Sequence, residues 1–278
     1  DFCLSRGLGD VYKRQVEKEL QPERLEPDAE PLVKGALIHV LLERLLRELD
    51  RPLTADSLAD AEGILDRLLA EPVPELARGR SEPVRLAALR SIEADLRRYL
   101  RHEATSGCDW RSEALELRFG FDDESLPALE LAGGVRVRGM VDRVDVDEAG
   151  HAIVRDYKST GKRAQYAGAR WGADRQLQVA LYMLVVKELL GLKPVAGLYQ
   201  PLGGDDPRAR GVFLKDADVG TRVVATDARA PEELQQVLDD ARERAVALAL
   251  RLRAGDLEPC PETCSRGACK YPGICRSG

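Results

Sequence analysis

Asp142, Asp156 and Lys158 are the residues whose types and spacing point most directly to chemistry. Asp156 and Lys158 stand two apart in VRDYK, and side chains two apart on a strand share a face. Asp142 lies upstream in GMVDRVDV. A turn centred near Glu148 and Ala149 would bring it roughly opposite Arg155 and within reach of Asp156. Two carboxylates and an ammonium at one strand end form a donor set for magnesium or manganese, which takes hard oxygen ligands. A lysine beside such an ion can orient an attacking water and offset phosphate charge. The alternative is a surface Asp–Lys pair on a strand edge, which contributes little. Gly139, just upstream, permits close backbone approach where the first acid sits. Glu113 and Glu116 are both candidates for a further acid, and spacing does not choose between them.

A second constellation closes the chain: Cys260-x3-Cys264-x4-Cys269-x5-Cys275. Four of the six cysteines fall within the last nineteen residues of a large chain, whereas disulfide-rich secreted domains spread theirs through a small one. Four thiols at this spacing can close around a zinc ion or a four-iron cluster. Lys162, Arg163, Arg170 and Arg175 follow the Asp–Lys strand and could contact phosphates, or simply solvate a loop. Trp171 could stack on a base, but anchoring the loop is the simpler expectation.

The chain must be able to position these groups. At 278 residues it can bury a sizeable core, and 44% apolar with 32% charged residues marks a globular rather than a disordered chain. No apolar run approaches the ~18 residues that span a bilayer and no signal peptide is visible, so a cytoplasmic setting without a membrane partner is expected. A net charge of −6 excludes a general basic coat for nucleic acid but not a local basic channel.

Residues 1–15, DFCLSRGLGDVYKRQ, fit poorly with the rest of the chain and resemble translated sequencing-adapter read-through. They, and Cys3 with them, carry no fold expectation; the native chain would then begin further upstream. Residues 16–31 are acidic and proline-punctuated. Leu32 to Leu49 has apolar residues at helical spacing (Leu37, Val40, Leu41, Leu45, Leu49) and carries His39 and Glu43 one turn apart. Glu43 is expected to pair with Arg47 rather than to support His39. Asp56 to Ala70 and Pro83 to Thr105, rich in strong helix formers, complete an N-terminal helical part.

After Gly107 the period becomes two. Strands are predicted over Glu113 to Phe121, Gly134 to Asp147, His151 to Ser159, Pro194 to Leu202 and Arg210 to Leu214. The change of phase between Val141 and Val144 predicts a bulge or strong twist near Asp142. Helices are predicted over Arg175 to Leu190, ended by Gly191, and over Glu232 to Leu252. Local hairpins combined with a crossover helix imply an α/β fold, a mixed central sheet flanked by helices.

Four of these stretches together carry a resemblance. GMVDRVDV and IVRDYKSTGK resemble the second and third motifs of the PD-(D/E)XK nuclease superfamily, in the branch containing RecB and AddB. GALIHVLLERLL resembles the helix that supplies that branch's metal-binding histidine, and RQLQVALY its glutamine-to-tyrosine motif. The resemblance implies a restriction-endonuclease-like core over about residues 16–259 and a cysteine-rich tail over 260–278. It also implies metal ligands His39, Asp142 and Asp156, with Lys158, Gln178 and Tyr182 completing the catalytic set. In AddB-like proteins an iron–sulfur cluster staples the domain through one upstream and three C-terminal cysteines. GACKYPGICR fits the end of that pattern, but Cys264 is two residues further away than usual. Either Cys260 is the fourth ligand or the native ligand lay before about residue 16; zinc on all four tail cysteines is the alternative.

The function implied is metal-dependent hydrolysis of DNA in repair or recombination, an exonuclease more than an endonuclease, on single strands or duplex ends. With no phosphate-binding P-loop in the chain, a helicase would be a separate subunit or another region of a longer chain. A non-catalytic DNA-binding or scaffolding module, and a zinc-ribbon interaction domain, are the other classes that fit.

Overall fold

The computed structural model describes residues 31–72, 81–106, 110–122, 126–159, 164–172, 176–219 and 221–256. Two compact units divide the chain: Asp28–Leu250, which holds every described element except the last turn of the final helix, and the two chain ends. Of the second unit only 251–256 are among the described residues. The adapter-like segment and the tail cysteines therefore lie outside them.

Three helices lead: α1 (Pro31–Leu49), α2 (Leu58–Ala70) and α3 (Glu82–Ala104). In α1 the buried stripe is Ile38, Leu41, Leu42, Leu45, Leu46 and Leu49, a spacing of three and four that keeps one face inward. Val40, counted in the apolar stripe from sequence, is instead 48% exposed. That stripe meets Leu65, Leu68, Ile92, Leu96 and Tyr99 of α2 and α3, together with Tyr157 and Leu202 from the sheet side.

Six strands make the sheet, in the order β1 (Arg111–Phe119), β4 (Gly139–Val146), β5 (His151–Lys158), β6 (Lys193–Pro201), β7 (Arg210–Leu214) and β8 (Ala228–Arg229). A small separate hairpin, β2 (Leu129–Leu131) with β3 (Val135–Val137), lies between β1 and β4 in the chain. The second predicted strand is thus split, with β3 pairing to β2 and β4 to β1. The sheet is mixed, as expected: β5–β6 and β7–β8 are parallel and the other pairs antiparallel. The parallel step is made by α4 (Gln178–Leu189), whose nearly continuous apolar sequence buries Val179, Ala180, Met183, Leu184, Val185 and Val186. Helix α5 (Pro231–Arg253) adds Leu234, Leu238 and Ala241 to the same core.

The β4–β5 register differs by one residue from expectation. Arg143, not Asp142, opposes Arg155. Asp147 sets it: its Oδ1 accepts the Ala149 and His151 amides at 2.9 and 2.8 Å, and Gly150 N donates to Asp147 O at 3.2 Å. The turn is an Asx-type turn centred on Ala149, half a position later than predicted, which shifts the pairing by one residue.

Between the helices and the sheet lies a buried ionic group. Asp145, fully buried, accepts from Arg143 Nε at 2.5 Å and from Arg155 Nε at 2.6 Å. Glu103 of α3 lies 3.3 Å from both guanidiniums, and Arg143 Nη1 donates to Tyr99 OH at 3.0 Å. Two cations balance two anions, so each charge finds a partner where water is excluded. Removing one partner strands the rest. Asp145→Asn should therefore lower unfolding free energy by ~3–5 kcal/mol in urea titrations, whereas Arg47→Ala, which breaks the exposed Arg47–Glu43 pair, should cost no more than about 1 kcal/mol.

Candidate active site

The site begins where two strands lose their alternation together. On β4, Val141 and Val144 both face the α4 core although three residues apart; on β1, Ala114 and Leu117 do the same. Their partners Leu115 and Arg143 face the helical side. Between these pairs stand Glu116 and Asp142, and Glu116 has φ 50°, the left-handed region that a non-glycine residue enters only under constraint. The change of phase near Asp142 is shared with the neighbouring strand, but the register shift between β1 and β4 falls at Ser112/Ala114 rather than at Asp142. Side chains of Glu116 and Asp142 come out beside α1. Gly139 sits where a Cβ would press on the Phe119 ring at 3.2 Å and on Tyr182 at 3.4 Å, the close approach expected there.

His39 Nδ1 lies 3.2 Å from Glu116 Oε1 and 3.5 Å from Asp142 Oδ1. One ligand atom from each of His39, Glu116 and Asp142 falls within 4.8 Å of the others. Asp142 Oδ2 accepts the Tyr157 amide at 2.7 Å. A side chain thus takes the place of a strand-to-strand bond, and the β4–β5 pairing ends at Arg143–Arg155. The Tyr157 ring packs edge-on against His39 on one side and Tyr99 on the other, both at 5.8 Å between centroids.

Asp156, 1% exposed, lies on the same strand. Its Oδ2 is 2.5 Å from Lys158 Nζ, a close ion pair in a buried setting. Lys158 Nζ donates to Gln178 Oε1 at 3.2 Å, and Gln178 Nε2 donates to Tyr182 OH at 3.2 Å. The ammonium also lies 5.4 Å from the Tyr199 ring centroid, a cation–π contact. Tyr199 in turn stacks on Tyr166 and accepts the Val179 amide at 3.4 Å, tying the start of α4 to the same place.

Of the residues expected to do chemistry, the fold gathers His39, Asp142, Asp156, Lys158, Gln178 and Tyr182 into one neighbourhood. Asp156 does not fall in the tightest group; Glu116 does. Glu113, the other acid that spacing left open, pairs with exposed Arg111. Arg170 is exposed, while Lys162, Arg163 and Arg175 lie outside the described residues. Trp171 anchors its loop: it is 4% exposed and its Nε1 donates to Tyr166 O at 2.9 Å. Tyr157, Tyr166 and Tyr199 were not singled out from sequence. For Tyr157 a signal existed, an aromatic between two charged residues on a strand, which must face the opposite side from both.

Electrostatics mark the site as short of positive charge. Burial, and then the neighbouring Asp156 carboxylate, push Asp142 up to about 7. Burial likewise raises Asp156, against the pull of Lys158. For His39 burial acts downward, but the Glu116 hydrogen bond and the Asp142 charge outweigh it and raise the imidazole. Two carboxylates that resist ionising and an imidazole that favours its cation both report a site short of positive charge, which suits a divalent cation, with imidazole tolerated better by manganese than by magnesium.

A family model described as the PD-(D/E)XK nuclease superfamily matches residues 11–276. The chain belongs to that superfamily, whose members use divalent metals such as magnesium. No curated protein matches it.

Each raised group contributes stability below its unfolded value and loses it as pH rises through the folded one, so for Asp142 the loss falls between about 4 and about 7. His39 and Asp156 act with the same sign. A cation bound by the deprotonated forms should offset that loss. The gap in Tm between protein in Mg²⁺ or Mn²⁺ and protein in EDTA should widen from pH 5 to pH 8, by differential scanning fluorimetry; a gap constant over this range would contradict the assignment.

Proposed function

We propose that this member of the PD-(D/E)XK nuclease superfamily is a RecB/AddB-like deoxyribonuclease, an exonuclease of DNA repair or recombination working in the cytoplasm on single strands or duplex ends. The observation that carries the reading is the convergence of His39, Glu116 and Asp142 beside the Asp156–Lys158 pair.

In this reading His39, Asp142 and Asp156 hold Mg²⁺ or Mn²⁺, with Glu116 as an additional ligand. Bound there, the ion supplies a water of lowered pKa and neutralises charge on the phosphodiester. The chain does the rest. Asp142, anchored on the Tyr157 amide, is fixed in direction before any ligand arrives. Lys158, held by Asp156, Gln178 and the Tyr199 face, presents an ammonium that orients the attacking water and stabilises charge gathering on the phosphoryl oxygens. Tyr182 restrains Gln178 and lies half-buried at the mouth of the site. The domain would span residues 16–259, with Cys260, Cys264, Cys269 and Cys275 holding a [4Fe-4S] cluster in a tail at 260–278. A helicase subunit or region would deliver the strand, and Lys162, Arg163, Arg170 and Arg175 would guide it.

With Mg²⁺ or Mn²⁺ the protein should degrade linear single-stranded DNA, and Asp156→Ala and Lys158→Ala should each lose on the order of 100-fold or more. Equal loss of DNA with both variants and the parent, or none with any, would sink the enzyme reading. A closed circular single strand should survive; its rapid cutting would mean an endonuclease. For the tail, anaerobically purified protein should be brown and contain iron and sulfide, and a colourless zinc-loaded protein would replace the cluster with a zinc site.

A further inference from the structure

Next to Lys158 lies a short segment whose side chains the chemistry above does not use. Two single-turn 3₁₀ helices, Ala164–Tyr166 and Gly168–Arg170, join the core on the α4 side of the sheet, where Tyr166 and Trp171 are buried. Glycines let the segment come in close. A Cβ at Gly168 would meet Gly211 O of β7 at 2.2 Å, and one at Gly211 would meet Gly197 O of β6 at 2.1 Å. Asp227, 2% exposed, closes the latch. Its Oδ1 accepts the Gly168 amide and its Oδ2 the Gly211 amide, both at 3.2 Å. Arg210 Nε donates to the same carboxylate at 2.7 Å and balances its charge.

The latch delivers an aromatic ring to the lysine's neighbour. Tyr166 stacks on Tyr199 with centroids 4.5 Å apart and planes 27° from parallel. Trp171 packs edge-on against Tyr199 at 5.8 Å, and its Nε1 bond to Tyr166 O ties the two loop aromatics together. Lys158 Nζ lies 5.4 Å from the Tyr199 centroid and 6.0 Å from that of Tyr166, within the attraction of both rings. A lysine ammonium is a point charge on a flexible four-carbon stem. Asp156 alone would fix its distance from one oxygen and leave the direction of the stem free. The rings and Gln178 Oε1 supply the further fixed contacts that define a position. Position matters here, because displacing a reacting group by about 1 Å can cost on the order of 100-fold in rate.

We propose that Tyr166 is a positioning residue for Lys158. Held to the sheet through Gly168 and Asp227, its ring fixes the plane of Tyr199, and the two rings together hold the ammonium in place. The effect on cleavage rests on the nuclease reading, whereas the placement of the ammonium does not.

The test observes the ammonium directly. After reductive methylation of the full chain with isotope-labelled formaldehyde, the Lys158 methyl signal is identified in carbon–proton NMR spectra by its loss in Lys158→Arg. Ring currents should place it upfield of the other lysines. Tyr166→Leu should move it downfield, and Tyr166→Phe, which keeps the ring, should leave it where it is. Gly168→Ala, whose Cβ would lift the segment from Gly211, should act like Tyr166→Leu. On linear single-stranded DNA with Mn²⁺, Tyr166→Leu should lower kcat on the order of 10-fold, with KM and Mn²⁺ affinity unchanged, and Tyr166→Phe should keep the parent kcat. A Lys158 signal unmoved in both Tyr166→Leu and Gly168→Ala would overturn the proposal, as would equal losses of activity in Tyr166→Phe and Tyr166→Leu. The expected signal shifts in a parent that cuts no DNA would defeat the nuclease reading and leave the placement of the ammonium standing. Cutting by Tyr166→Leu at the parent rate would keep the nuclease reading and remove the positioning role.

Discussion

Everything around the site depends on one substitution of partners: Asp142 Oδ2 accepts the Tyr157 amide where β4 would otherwise hydrogen-bond to β5. Parting of the two strands there makes room at a sheet that is otherwise closed. The parting also orients Asp142 without spending its second oxygen, which remains facing His39. A buried carboxylate with one lone-pair side satisfied and the other open is expensive unless a cation completes it. The cost is tolerated because the surroundings are rigid. Glu116 in a left-handed backbone conformation on the neighbouring strand is part of the same expenditure of strain, and it falls beside chemistry-bearing groups as such strain tends to.

Rigidity comes from the other side of the same strands. Arg143 follows Asp142 and Arg155 precedes Asp156, and both point into the neutral ionic group with Asp145 and Glu103. Successive residues therefore alternate between a site that is short of positive charge and a network in which positive and negative balance. Tyr157 joins the two, its ring between His39 and Tyr99 and its amide on Asp142. The N-terminal helices thus do more than cover apolar surface. Helix α1 supplies His39 and α3 supplies Glu103 and Tyr99, so the helical part and the sheet share their buried polar groups. Lysine is held separately, by α4 and the aromatic wall of Tyr166 and Tyr199. Glu116 and Asp142 come from β1 and β4, whereas Asp156 and Lys158 share one face of β5 and form an ion pair there.

Much of this was legible in the chain. Helical periodicity located α1, α2 and α3 to within two residues, and the period-two segments located β1, β5, β6 and β7. Those features are local: each element needs one apolar face, and spacing within a dozen residues reveals it. The phase slip from Val141 to Val144 was also local and marked where Asp142 turns toward the helices, although the register shift itself lies at Ser112/Ala114. Less legible were the short β2–β3 hairpin, hidden inside a run that reads as one strand, and β8, whose two residues carry no pattern of their own. The one-residue error in the β4–β5 register came from the Asp147 side chain, which captures two amides and moves the turn.

Residue types and spacing along the chain by themselves determined the fold class, the α/β order of elements, and Asp142, Asp156 and Lys158 as groups able to do chemistry; His39, Gln178 and Tyr182 came from the resemblance of their stretches to the nuclease motifs. Those are matters of pattern, and pattern is written in sequence. Choosing between Glu113 and Glu116 was a matter of tertiary structure, because one backbone angle at Glu116 and one exposed partner at Arg111 decided it. So was the ionic group beneath the site, since no spacing predicts that Glu103 on a helix will meet arginines on two strands. The fold also decided that Asp142 would be pushed towards neutrality while its sequence neighbour Asp145 sits between two guanidiniums. The physical reason is that a charge's energy is set by burial and by what lies across from it, and both are properties of packing rather than of the chain.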